Sequence, residues 1–134
     1  MIRTYLDSCV LIDAWTARKP LARRAMQFLN DPDREYASSA FVKLETLPQA
    51  TYHNNDIEIS FYEAFFDSVK IWADDLVAVS KLAHDEACRC GLSAIDALHV
   101  AAAVVCNADE FITTERPSSP IHRTRLIKVI TLYN

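Results

Sequence analysis

A single glycine, Gly91, serves the whole chain of 134 residues. Folds that cradle phosphate on bare backbone need several glycines at fixed spacing, because only glycine allows so close an approach. The G-x-G-x-x-G turn of dinucleotide-binding sheets and the phosphate loop of nucleoside triphosphatases are thereby excluded. Any phosphate chemistry here must rest on side chains. Gly91 itself follows a helical stretch at 75–90 and fits the left-handed position just past a helix end.

Around that stop, the periodicity alternates between strand and helix. Residues 2–6 read as a short strand feeding Asp7, and Cys9-Val10-Leu11-Ile12 opens a helix. Pro20 suits a helical first turn, and Ala22, Ala25, Met26, Phe28 and Leu29 keep helical spacing up to Asn30-Asp31-Pro32. A weak strand at 35–38 precedes a helix marked by Phe41, Leu44 and Leu47, which Pro48 is expected to kink rather than end. Residues 57–66 read as a helix with Ile59, Tyr62, Phe65 and Phe66 on one side, and 68–72 as a strand. The stretch 75–90 is helical through Leu76, Val79, Leu82, Ala83 and Ala87, and Ser93 starts a further helix running to about Cys106. Phe111–Thr114 and Leu126–Leu132 read as strands. Strands alternating with helices predict an α/β fold on a mainly parallel sheet, with 1–134 as one domain.

The hydrophobic fraction of 51% supports a sizeable core. No apolar run approaches the roughly 20 residues of a membrane span, and the opening Met1–Asp7 has an acid where a signal peptide needs a longer apolar stretch. The expectation is a soluble, cytoplasmic protein with no membrane partner. Cys9, Cys88, Cys90 and Cys106 lack zinc-site spacing and read as reduced core thiols. The net charge of −4 argues against a simple RNA-binding module, which is usually basic. A nuclease can still be acidic, because carboxylates collect divalent cations that then attract phosphate.

Four acids stand out by position. In open α/β sheets ligands sit at the carboxyl ends of strands, where Asp7 and Glu115 fall. Asp7 reads equally as a helix cap and as a site acid. Asp96 and His99 are the only polar side chains in the apolar stretch Ala94–Cys106, where a carboxylate is costly unless capped, paired or bound to a cation. Ser93-Ala94-Ile95-Asp96 also fits a capping box, and both readings are compatible. Glu45, at the edge of the Phe41–Leu44–Leu47 stripe, reads by itself as a solvated flank residue. Together, such acids without nearby bases repel one another unless a hard cation such as Mg²⁺ or Mn²⁺ is present.

These segments resemble the PIN-domain family, including the VapC-like ribonuclease toxins of prokaryotic toxin–antitoxin modules, over essentially the whole chain. Tyr5-Leu6-Asp7-Ser8-Cys9-Val10-Leu11-Ile12 is similar to the family's first-strand motif, and Ser39-Ala40-Phe41-Val42-Lys43-Leu44-Glu45 to the segment carrying its second acid. Gly91 to Ala103 is the strongest match and places the third acid at Asp96. Ala108 to Glu115 resembles the last catalytic strand, except that the family commonly has aspartate where this chain has Glu115, followed by a shorter turn than Arg116-Pro117-Ser118-Ser119-Pro120.

The resemblance implies a three-layer α/β/α fold and Mg²⁺- or Mn²⁺-dependent cleavage of single-stranded RNA. Asp7, Glu45 and Asp96 would hold the metal, Glu115 would assist, and Thr113 or Thr114 would supply part of the role of Glu115. It further implies a toxin inhibited by a small antitoxin, and a homodimer. The rival readings are a catalytically weakened PIN-fold module that binds RNA or protein, motivated by Glu115, and a different metal-dependent phosphotransferase or phosphohydrolase on a similar sheet. A D-x-D phosphatase is disfavoured by cysteine at position 9. Arg116, Arg123 and Arg125 read as solvated surface ahead of phosphate contacts, and Asp13, Asp109 and Glu110 as solvated or capping charges. His53, His84 and His122 fit no site, and His99 reads as a satisfied core histidine. Phe61–Phe66 reads equally as core and as a partner or dimer surface.

Overall fold

The computed structural model describes residues 1–16 and 19–134. In chain order the elements are β1 (Ile2–Leu6), α1 (Ser8–Thr16), α2 (Lys19–Leu29), β2 (Arg34–Ser38), α3 (Ala40–Tyr52), α4 (Asp56–Ser68), β3 (Val69–Trp72), α5 (Leu76–Cys90), α6 (Ala94–Val105), β4 (Glu110–Thr113), a 3₁₀ turn at Pro120–Arg123, and β5 (Lys128–Thr131). The five strands form one sheet in the order β3-β2-β1-β4-β5, and every pair is parallel. Parallel strands need crossovers, and the helices supply them, giving the expected three-layer α/β arrangement. No helix of the described residues is long and apolar enough to cross a membrane.

β1 is central, and Thr4, Tyr5 and Leu6 are fully buried because helices cover the sheet. α6 lies close against the core through Ala97, Val100, Ala101, Ala102 and Ala103, whose small side chains permit near approach. Gly91 caps α5 at φ +66°, ψ +35°, the left-handed conformation its position predicted.

Several expectations change in the folded chain. α3 buries Val42, Thr46 and Ala50, whereas Leu44 is 67% exposed; the helix is rotated so that its polar-looking flank faces inward. Pro48 sits inside α3 on the exposed side, where water can satisfy the carbonyl it leaves unpaired, so the helix continues. Tyr62, Phe65 and Phe66 fill the core and Phe61 packs on Trp15, so the aromatic segment is a core helix rather than a free partner surface. Cys88 is exposed, unlike the core thiol expected there, although all four cysteines are free.

Glu110 departs furthest from expectation. β4 begins at Glu110 itself, which turns that side chain into the sheet at 6% exposure. It accepts hydrogen bonds from Thr4 Oγ1 at 2.7 Å and Arg34 Nε at 2.8 Å and is no solvated charge. Asp109 does cap, accepting from the Arg3 backbone N–H at 2.8 Å.

Candidate active site

Parallel strands aim all their carboxyl ends at one rim, and the rim here begins with Asp7, the first residue past β1. The Asp7 backbone N–H donates to Ile112 O at 2.9 Å, and its carbonyl accepts from Val10 N at 3.0 Å, locking the turn into α1. The Asp7 side chain, 5% exposed, accepts from Thr113 Oγ1 at 3.1 Å, so β4 orients the acid that β1 delivers. Thr113 Oγ1 also accepts from the Glu115 backbone N–H at 3.2 Å, which fixes the start of the loop beyond β4.

α3 brings Glu45 to the same place. Ser8 Oγ donates to Glu45 Oε1 at 2.8 Å, and His99 Nε2 shares a hydrogen bond with that oxygen. Behind His99, its Nδ1 lies 2.8 Å from the Tyr5 hydroxyl, which lies 2.7 Å from Ser39 Oγ. One set of protons satisfies the chain: Ser39 donates to Tyr5, Tyr5 to His99 Nδ1, and His99 Nε2–H to Glu45. Burial first, then the nearby Asp7 charge, pushes the Tyr5 phenol well above its ordinary value, so it stays a donor. The His99 hydrogen bond, with help from Ser8 and against the effect of burial, lowers the Glu45 carboxyl below its usual range and keeps it ionised.

α6 carries both Asp96 and His99, three residues apart and therefore on one helical face. Ser93 caps the helix, its hydroxyl accepting from the Asp96 backbone N–H at 3.3 Å. The Asp96 carboxyl is raised above its ordinary value, by burial first and by the negative charge of Asp7 next. Glu115 is raised too, by burial and then by the charges of Asp96 and Asp7. Side-chain donor atoms of Asp7, Glu45 and His99 all lie within 4.8 Å of one another, with His99 Nε2 3.8 Å from Asp7 Oδ1. Asp96 and Glu115 lie outside that tight group but within its electrostatic reach.

A hard divalent cation fits this donor set. The oxygens are carboxylate oxygens, the choice of Mg²⁺ or Mn²⁺, and Asp96 and Glu115 carry the mutual repulsion a cation relieves. The nitrogen in the cluster is already engaged with Glu45. Asp7 and Glu45 supply the carboxylate oxygens of the tight group, and Asp96 stands within electrostatic reach of it.

Against this geometry, a family model for the PIN domain matches residues 4–116. The chain belongs to the PIN-domain family. That family is one of nucleases using divalent metals, and the match runs from β1 to just past Glu115. This PIN domain is similar in fold to a toxin–antitoxin complex from Klebsiella pneumoniae, at TM-score 0.74 and 19% identity over 97% of this chain and 98% of that one. It is similar also to VapBC2 from Rickettsia felis bound to a DNA fragment from the promoter, at TM-score 0.71 and 14% identity over 97% and 98%. A third likeness is DNA-bound VapBC from Salmonella typhimurium, at TM-score 0.67 and 14% identity over 98% and 99%. No curated protein matches the sequence.

Within this PIN domain, His99 is the one histidine that stood out in the sequence, and it is the satisfied core histidine expected there. It is 1% exposed, yet it holds Glu45. The available signal was a polar side chain one helical turn beyond Asp96 on an otherwise apolar helix, which needs a buried partner. Cys9, also at the rim, contacts Thr113 Oγ1 at 3.3 Å. Burial, with the Asp7 charge added, pushes its thiol up to about 12, so it stays protonated and unreactive. Arg116 stacks over the Tyr133 ring at 5.5 Å, which engages it at the surface.

Proposed function

We propose that this PIN domain is a metal-dependent endoribonuclease that hydrolyses phosphodiester bonds of single-stranded RNA, with residues 1–134 acting as one nuclease domain. The observation that carries the reading is the meeting of Asp7 and Glu45, with Asp96 and Glu115 in electrostatic reach, at one end of a parallel sheet. Asp7, Glu45 and Asp96 are the metal ligands in this reading, and Glu115 is the assisting acid. When bound, Mg²⁺ or Mn²⁺ supplies an activated water and neutralises charge developing on the scissile phosphate.

The chain's own residues prepare that chemistry. Thr113 holds one Asp7 oxygen, leaving the other toward the cluster. Ser8 and His99 both fix Glu45 Oε1, so the second Glu45 oxygen remains open to a ligand. The Ser39–Tyr5–His99 line sets the imidazole so that its Nε2–H faces Glu45. In this reading Glu115, in the longer loop, stands for the aspartate that the family commonly has.

The three fold relatives are toxin–antitoxin assemblies, which supports a toxin held in check by a small antitoxin protein; the same reading takes the toxin as cytoplasmic and homodimeric. The test is direct. Purified protein is mixed with single-stranded RNA and Mn²⁺ or Mg²⁺; it should cut, leave 5′-phosphate ends, and stop on chelation. Retention of full cutting by Asp96→Asn would remove the proposed site, and RNA binding without any metal-dependent cutting would favour a binding module instead.

A further inference from the structure

Away from the acids, a cavity of about 500 Å³ is lined by Arg89, Cys90, Gly91, Arg123, Arg125 and Leu126. Its size falls in the range of small-ligand clefts. Three arginines line it, and the acid paired with one of them, Arg89, is Glu86, wholly buried and bound also by Thr124 Oγ1. Three positive charges against one leave a surplus of two, in a chain whose net charge is −4.

The arginines are held differently. Arg89 is anchored through its fork on Glu86. Arg123 Nη1 donates to Cys90 O at 3.1 Å, at the electronegative end of α5, and its other donors remain available. That approach is close to Gly91: a Cβ there would lie 3.3 Å from Arg123 Nη1, tight enough to make the guanidinium shift slightly. Arg125 is exposed and makes no ion pair or side-chain hydrogen bond among the described residues. Leu126, 39% exposed, adds an apolar wall that suits a sugar or base.

The cavity is joined to the acidic rim along the chain in two directions. Gly91 joins α5 to the helix whose first turn holds Asp96, and the 3₁₀ turn ending at Arg123 closes the loop that begins with Glu115. His122 Nε2 lies 3.5 Å from the Glu115 carbonyl oxygen, tying that turn back to the site. An RNA strand that lays one phosphate at the acids must lay others alongside. An acidic enzyme needs fixed cations there to offset repulsion of the strand.

From this we infer that the cavity formed by Arg89, Arg123 and Arg125 is a phosphate-binding subsite for the single-stranded RNA substrate, taking a backbone phosphate removed from the scissile one. The inference rests on the nuclease reading above and extends it to substrate length. Guanidinium forks bind phosphate through paired N–H donors, and their planes accept a stacked base. The subsite makes long RNA a better substrate than short RNA, through binding rather than chemistry.

The experiment compares wild type with Arg125→Gln and with Arg123→Gln/Arg125→Gln on two probes, dodecauridylate and diuridylate, in Mn²⁺. Thermal melts confirm folding; Arg125→Gln, which removes no observed contact, stands alone if the double variant unfolds. Expected is a rise of about tenfold in KM for the dodecamer with kcat kept, a salt dependence of binding shallower by about one unit of slope, and no change on the dimer. Unchanged KM and slope on the dodecamer overturn the subsite. Equal losses on both probes overturn it too, since they indicate a distorted active site. Unchanged RNA kinetics with lost binding of a polyglutamate peptide assign the cavity to an acidic protein partner and also overturn it. Failure of the wild type to cut either probe counts instead against the nuclease reading, and fluorescence anisotropy of fluorescein-labelled dodecauridylate then tests the subsite by the same slope.

Discussion

The two ends of the central strands carry opposite kinds of charge cluster. At the amino ends of β1, β2 and β4, acids meet guanidinium groups: Arg3 with Glu35 at 3.0 Å, and Arg34 with both Asp31 and Glu110. At the carboxyl ends, Asp7, Glu45, Asp96 and Glu115 form no ion pair with lysine or arginine among the described residues, and their partners are hydroxyls and one imidazole. A buried carboxylate paired with arginine is a structural element whose charge is spent. Carboxylates left to repel one another keep free charge for a ligand. The contrast separates Glu110, the first residue of β4, from Glu115, just beyond its end, two acids with unlike surroundings.

Substitutions at the two ends should therefore fail in different assays. The largest effect is expected from Asp7→Asn or Asp96→Asn, each lowering kcat by about a thousandfold in an RNA cleavage assay. The thermal melt should hold or rise, because one of the repelling charges has gone. A melt that collapses with these changes would make the rim structural and erase the distinction. At the other end, Arg34→Met strips the buried Glu110 of its partner and should cost about 3 kcal/mol in urea unfolding. Cleavage per folded molecule should stay at the wild-type level.

Smaller effects sharpen the comparison. His99→Ala removes the group that orients Glu45 and should weaken the apparent affinity for Mn²⁺ by about 10- to 100-fold in a metal titration of cleavage. An unchanged titration would mean that Glu45 needs no such support. The smallest is a pH effect on the metal-free protein. Burial and like charge raise Asp96 and Glu115 in the folded state, so folding takes up protons there. Stability from these groups is complete below the ordinary carboxylate value and is lost as pH rises through the raised folded values. Melts in chelator should therefore fall slightly across that window, and saturating Mn²⁺ should reverse the fall at neutral pH.

Much of the scaffold was legible before folding. Gly91 marked the end of α5, Ser93 the start of α6, and the position after β1 marked Asp7, because caps and strand ends follow local rules of backbone geometry. Asp96 was legible because a charge in an apolar helix needs a reason. Glu45 was ambiguous in isolation: its flank looked solvated when Leu44 was counted as core, and α3 instead turns Leu44 outward and Glu45 toward Ser8 and His99. Glu110 was misread for a similar reason, since one residue of strand register decides whether a side chain enters the sheet or water.

The sequence by itself determined the alternation of strands and helices, the stop at Gly91 and the exclusion of glycine-built phosphate loops. Those follow from periodicity, capping and composition, which act over a few neighbouring residues. Only the tertiary structure decided which acids share a rim, which are neutralised by arginine, and that His99 holds Glu45. Such pairings join residues from Ser8 to Glu45 and from Glu45 to His99, and no local rule sets the distance between side chains carried by different elements.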